Sequence, residues 1–269
     1  MSIGEFFGFG GYTRQAEGYM SWQHLLFVSV LTAVMIFCAV IIGKKRKNSS
    51  VKNKNRVLIV SAFLIDGFEI AKIIIQCFRS HNALDWLYEL PLFLCSIQLI
   101  TIPLAAFSKG RIKEASLDFV TVFGLLGAIL GTYFAGNNYS VYPVLSVDNV
   151  FSGITHCISG FVSLYVIISG MVSMKKRNIG ITVGILSGFC VAAYVANLIL
   201  DYNYMFLFRG DGTPYDIIYN LVNGNKVAYP ILVVLLFVVY IIAYYSIFYS
   251  IQKKGNNPKQ KEKELLEVK

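Results

Sequence analysis

Cys95 and His156 are the two side chains in this sequence best suited to covalent chemistry. A thiol becomes a strong nucleophile when a histidine takes its proton, and the thiolate can then carry an acyl group as a thioester. Polar residues recur around them in an otherwise apolar chain. Asp66, Glu69, Lys72 and Gln76 follow one another at three, three and four residues, which places them along one side of a helix. Gln98 lies three residues after Cys95, and Asn149, Ser152, His156, Ser159 and Ser163 form a second stripe. His24, Tyr194, Asn197 and Asp201 stand near the ends of other apolar stretches. Ionisable groups in hydrocarbon are costly unless paired or turned to a cavity, so each is a functional-site candidate by default. The plainer readings are an ion-pair network for Asp66, Glu69 and Lys72 and helix packing for the serine stripe. For the chemistry, His156 is the candidate base and Cys95 the candidate nucleophile, with Gln98, Asn197 or a serine as oxyanion donors. No Gly-x-Ser-x-Gly elbow or His-Glu-x-x-His motif competes, and no metal or cofactor is expected.

These residues must be positioned by membrane-spanning helices. The 269 residues are 56% hydrophobic and only 14% charged, with mean hydropathy +0.60, too apolar for a soluble domain. A span needs about 20 mainly apolar residues. Seven such stretches are predicted, near 22–43, 57–78, 90–108, 117–136, 149–173, 181–200 and 228–250. Nothing alternates polar and apolar over strand-length segments, so a β-barrel is excluded. The fold class expected is an all-α polytopic bundle of about seven transmembrane helices.

Orientation follows from Lys and Arg in the short loops. Residues 44–56 carry seven, 109–116 three, 174–180 three and the stretch after 250 six, which is 19 of 24, all on one side. The N-terminus is therefore expected outside and the C-terminus in the cytoplasm. Residues 1–21 contain Glu5, Arg14 and Glu17 and lack a basic lead into an apolar core, so the first span is expected to remain uncleaved. The net charge of +9 reflects this topology and attraction to anionic lipid, not nucleic-acid binding. Five cysteines without Cys-x-x-Cys spacing argue against a disulfide framework or a zinc site.

By count from the outer boundary, Lys72, Cys95 and His156 fall six or seven residues deep, roughly 9 Å at helical rise. The outer half of the bundle is expected to hold a polar chamber and the inner half to be apolar. The outer loop 201–227 is too apolar for a passive linker. Thr213, Pro214 and Gly224 predict a short helix near 214–223, either anchored at the interface or lying over the bundle mouth. One membrane domain, 1–250, is expected, with 251–269 a charged, solvated cytoplasmic tail.

Several separated segments carry a family resemblance: Ser21 to His24 (S-x-x-H), Leu90 to Ile97 (LPLFLCSI), the span around His156, and Asn203 to Arg209 (NYMFLFR). On these the chain resembles the YwaF-type bacterial integral membrane proteins, related to the eukaryotic transmembrane protein 164 group. The resemblance implies a compact bundle of about seven helices. For the eukaryotic relatives it implies an acyltransferase of phospholipid remodelling with a cysteine and a histidine at its centre, roles that Cys95 and His156 match. It also brings Asn203, Tyr204 and Arg209 into the candidate binding set, beside His24, Asp66, Glu69, Lys72, Gln98 and Asn197. The bacterial pattern often reads L-P-L-H-x-C, and this chain has Phe93 in place of that histidine.

The function expected is phospholipid acyl transfer in a cell membrane, bacterial plasma membrane by the resemblance, with membrane phospholipid as partner. Two alternatives stand beside it: a transporter or channel whose path uses Asp66, Glu69 and Lys72, and a non-catalytic lipid-binding protein.

Overall fold

The computed structural model describes residues 3–172 and 174–255. These are helical, with no strand among them. In chain order the helices are α1 (Ile3–Phe7), α2 (Trp22–Arg46), α3 (Val51–Ser80), α4 (Gln98–Phe107), α5 (Gly110–Tyr133), α6 (Gly136–Val141), α7 (Val147–Ile168), α8 (Ile179–Leu200), α9 (Asp216–Leu221) and α10 (Ala228–Gly255).

Local signals fix several helix ends. Ser21, Ser50 and Ser146 each accept a hydrogen bond from the backbone N–H three residues on, as N-caps do. Lys44, Lys45 and Arg46 close α2, where cations meet the negative end of the helix dipole. The expected helix of the outer loop is present as α9, a little shorter than 214–223. It stops at Gly224, whose positive φ of 66° lets its N–H reach Tyr219 O at 2.9 Å.

Among the described residues, five segments are long and apolar enough to cross a membrane: Trp22–Arg46, Gly110–Val141, Val147–Ile168, Lys176–Leu200 and Ala228–Gln252. The other two expected spans differ in kind. α3 has the length, 30 residues, but carries Asp66, Glu69 and Lys72 in its middle. The third expected span, 90–108, is not one helix. Residues 91–97 are turns, and only the ten residues of α4 follow. Pro91 opens this break and Pro103 lies inside α4, and proline removes a backbone donor.

α5 and α7 form the centre. α7 packs against α5, α2 and α3, and α4 lies on α5. Phe119, Val122 and Phe123 of α5 pack with Leu186 and Ala193 of α8 and Val233, Phe237 and Ile241 of α10. Leu117 and Val120 pack on the other side with Leu58, Ile65, Ile102, Val162 and Val166. α5 is thus the wall shared by two apolar cores.

A buried polar knot stands apart from the residues predicted from sequence. Asp118 of α5 is fully buried, and its carboxylate accepts from Met174 N–H at 3.2 Å, Asn178 Nδ2 at 2.7 Å and Tyr245 Oη at 3.1 Å. Tyr245 also meets Thr182 Oγ1 at 3.0 Å. One carboxylate therefore ties α5, the turn before α8, and α10 together. A hydropathy count misses it because a single well-satisfied polar knot leaves the surrounding average apolar. α10 continues to Gly255, so the first residues of the expected tail are helical, and 256–269 lie outside the described residues.

Replacing Asp118 strands several buried donors at once. Asp118→Ala is expected to lower stability by about 2 kcal/mol or more, and Asp118→Asn by less, read as thermal unfolding in detergent. Equal melting of all three proteins would contradict the role assigned to the carboxylate.

Candidate functional site

Cys95 and His156 arrive at the same face of α5 from opposite sides. Gly124, Gly127 and Gly131 lie along that face. A Cβ at Gly127 would stand 3.2 Å from both Cα and Cβ of Cys95, and one at Gly131 would overlap the His156 ring at Nε2 and Cδ2. A Cβ at Gly124 would stand 2.9 Å from Ser159 O and from Ser163 Cβ. Only glycine permits these approaches. Ser159 and Ser163 donate to Gly124 O (3.2 Å) and Thr121 O (3.1 Å), so this part of the serine stripe joins α7 to α5.

The orientation of His156 is fixed by its other nitrogen. Nδ1 lies 2.7 Å from Ser152 O and 3.4 Å from Ser152 Oγ. A carbonyl oxygen can only accept, so Nδ1 carries the proton and Nε2 is left as the lone-pair nitrogen. Nε2 is buried with no partner at standard hydrogen-bond geometry. The Cys95 thiol is nevertheless its electrostatic and side-chain partner, and the relation is mutual. Both residues are half-buried by surface area.

Cys95 stands in the irregular turn that leads into α4. Ile97 N–H bonds to Phe93 O at 3.1 Å, Gln98 N–H to Cys95 O at 3.4 Å and Leu99 N–H to Ser96 O at 3.0 Å. Ser96 Oγ accepts from Phe93 N–H at 3.0 Å and donates to Phe93 O at 3.1 Å, closing the turn in the manner of a capping box. Cys95 is thereby held in the turn just before the N-terminus of α4. Phe93 points into an aromatic cluster, with ring centroids 5.2 Å from Tyr204, 5.8 Å from Phe206 and 6.3 Å from Tyr202.

Of the charged candidates, Lys72 is bridged to Glu69 at 2.8 Å and to Glu89 at 3.1 Å. Glu69 acts electrostatically on both Cys95 and His156, so this triad belongs to the same region as the pair. Asp66 is half-buried and has no ion-pair partner among the described residues. From the outer loop, Tyr215 comes within electrostatic reach of Cys95.

The remaining candidates work mainly as pins. His24 is fully buried: Nδ1 accepts from Met20 N–H at 3.2 Å, Nε2 donates to Thr132 O at 3.0 Å, and the ring packs 3.9 Å from that of Tyr139. Nε2 holds α2 to the end of α5, and Nδ1 holds the turn that precedes α2. Asn197 accepts from Tyr204 N–H at 2.6 Å and donates to Tyr204 O at 3.1 Å. Tyr204 Oη donates to Leu87 O at 2.5 Å, and burial pushes this phenol up to about 12, so it stays a donor. Asn203 donates to Arg209 O and Asp211 Oδ2 and accepts from Phe208 N–H. Arg209 is largely exposed and pairs with Asp211 at 2.6 Å. These four organise the 203–211 loop against α8 and the segment before Cys95. Gln98 is fully buried; its Oε1 accepts from Thr101 at 2.9 Å while its Nε2 has no partner.

Sequence reasoning did not single out Glu89, Gly127, Gly131, or a lock at the end of α3. There Arg79 binds Asp148 through two bonds of 2.7 and 2.8 Å, joined by Gln76 at 3.0 Å and Tyr12 at 2.7 Å. Burial and the adjacent Asp148 carboxylate push the Tyr12 phenol well above its usual range, which keeps it a neutral donor. The signal for the glycines was legible: small residues every three or four positions on an apolar helix mark a close-packing face.

These features define a multi-pass helical membrane protein with buried polar side chains among its helices. The chain belongs to the TMEM164 family, whose family model matches residues 19–249. Neither the curated proteins nor the solved structures include a match to it.

Gly131→Ala adds a methyl where the His156 ring stands and is expected to cost about 1–3 kcal/mol. Gly67→Ala on α3 meets nothing within 4 Å and is expected to be neutral or stabilising. Thermal unfolding of the two variants in detergent checks the contrast.

Proposed function

We propose that this protein is a membrane-embedded acyltransferase of the YwaF-type bacterial branch, remodelling phospholipid acyl chains in the plasma membrane. The observation that carries the reading is the meeting of Cys95 and His156 on the α5 glycine face. There His156 Nδ1 is committed to Ser152 O and Nε2 remains available as a base.

In the mechanism, His156 Nε2 takes the Cys95 proton and the thiolate attacks the carbonyl carbon of a phospholipid acyl ester. A carbon–sulfur bond forms and the carbonyl π electrons move to oxygen. When this oxyanion collapses, the ester carbon–oxygen bond breaks, and the lysophospholipid alkoxide leaves with the proton from the imidazolium. The hydroxyl of a second lysophospholipid then gives its proton to His156 and attacks the thioester, expelling the Cys95 thiolate. Glu69 and Lys72 form the charged wall of the site.

The seven-span topology, with the N-terminus outside, belongs to the same reading. α3 supports it by its inverted character: Phe63, Ile70, Ile74 and Phe78 face outward, while Glu69 and Lys72 are buried inward. The turn before α4 is irregular backbone of the kind tolerated at membrane depth when other helices surround it. The transport alternative gains less support, because Lys72 already has two carboxylates within 3.1 Å and an ion would have to break those pairs.

In cells, Cys95→Ala and His156→Ala are each expected to abolish the phospholipid acyl profile that distinguishes wild type from a knockout. A lipidome identical in wild type and knockout would remove the basis of the proposal. For topology, a fluorescent protein fused after Gly255 is expected to fluoresce and alkaline phosphatase at the same point to remain inactive; the reverse result would invert the orientation.

A further inference from the structure

Gln98 is a fully buried amide with half of its hydrogen-bonding capacity unused. Among the described residues, the buried side-chain atoms without a partner are Gln76 Oε1, Asn149 Oδ1, Ser169 Oγ, Asn178 Oδ1, His156 Nε2 and Gln98 Nε2. Only the last two are nitrogens. Gln98 Nε2 is a donor, whereas His156 Nε2 is the lone-pair nitrogen. An unsatisfied buried donor is retained rarely, because an apolar side chain of the same shape avoids the desolvation cost altogether. Both nitrogens belong to the neighbourhood of Cys95. His156 is the partner of the thiol, and Gln98 lies three residues after Cys95, joined to it through its own N–H to Cys95 O at 3.4 Å.

The backbone supplies a second unused donor at the same place. Ile97, Gln98 and Leu99 N–H groups are engaged in the turn, but the Cys95 N–H has no acceptor beyond its own sulfur among the described residues. It lies at the positive end of the ten-residue α4. Thr101 Oγ1 lies 3.3 Å from Ile97 O and donates to Gln98 Oε1 at the shorter distance of 2.9 Å, and Gln98 Nε2 has no partner.

We propose that Gln98 is a catalytic residue, whose Nε2–H and the Cys95 backbone N–H together hold the oxyanion formed when Cys95 attacks an acyl ester. The inference rests on the reading of Cys95 as the nucleophile. It adds the group that stabilises the charge developing on the carbonyl oxygen, in both formation and breakdown of the thioester. Such donors act most strongly in a water-poor site, where they are fixed before charge develops.

The test compares two reactions of Cys95 in the full-length protein in detergent micelles, each followed by mass spectrometry of the Cys95 peptide. Acylation by 4-nitrophenyl butyrate passes through an oxyanion; alkylation by iodoacetamide needs the thiolate but forms none. Gln98→Leu is expected to slow acylation about 100-fold or more while leaving alkylation at the wild-type rate. Gln98→Glu keeps the size and the acceptor for Thr101 but removes the donor, and is expected to lose acylation likewise. Should both reactions slow together, Gln98 only positions the thiol, and the proposal is overturned; acylation unchanged in either folded variant overturns it too. A wild-type Cys95 that is alkylated but never acylated would instead overturn the nucleophile reading itself, and with it this one.

Discussion

The close approach of α7 and of the turn before α4 to the glycine face of α5 is the constraint on which the rest of the structure depends. At Gly124, Gly127 and Gly131 a single added carbon would meet Ser159 and Ser163, Cys95, and His156 respectively. In a bilayer, where lipid tails are as apolar as leucine, helices associate by such close packing and by hydrogen bonds across the contact. Here both devices serve one interface. Ser159 and Ser163 bond to α5 carbonyls that lie near enough only because glycine leaves the backbone bare. The cysteine and the histidine are brought together as a consequence of helix packing.

Desolvation explains how the other buried polar groups are arranged. Lys72 has two carboxylates, Arg79 donates two hydrogen bonds to Asp148, and Asp118 collects three donors in place of a cation. Each arrangement offsets the loss of water with direct partners. The same groups join segments distant in sequence: Tyr12 reaches α7 through Asp148, and Tyr245 reaches α5 through Asp118. Six buried side-chain atoms among the described residues have no partner at standard hydrogen-bond geometry, and the two nitrogens among them belong to Gln98 and His156.

Much of the fold was legible along the chain. Apolar runs located the five clear spans, serine caps and terminal cations set helix ends, and Gly224 predicted the stop of α9. The third span was misread because hydropathy measures apolarity and not backbone regularity, and residues 91–97 are apolar turns. Asp118 was missed because one acid amid apolar neighbours carries no periodic signal. Asn197, Asn203 and Tyr204 were recognised as unusual, yet sequence could not separate a group that binds a ligand from one that binds its own loop.

Residue type alone determined which chemistry was available: cysteines and histidines in apolar surroundings, a charged stripe on α3, and glycines at packing intervals on α5. Tertiary structure decided which of those residues meet. The depth count placed Cys95 near His156 by assuming helical rise through a segment that is not helical. The two come together because separate segments press on one face of α5. It also decided that His156 presents Nε2, since Nδ1 is spent on the Ser152 carbonyl. Proximity across a bundle depends on contacts between distant segments, and hydrogen-bond allocation depends on where every neighbouring donor and acceptor finally rests. Neither is encoded in local spacing.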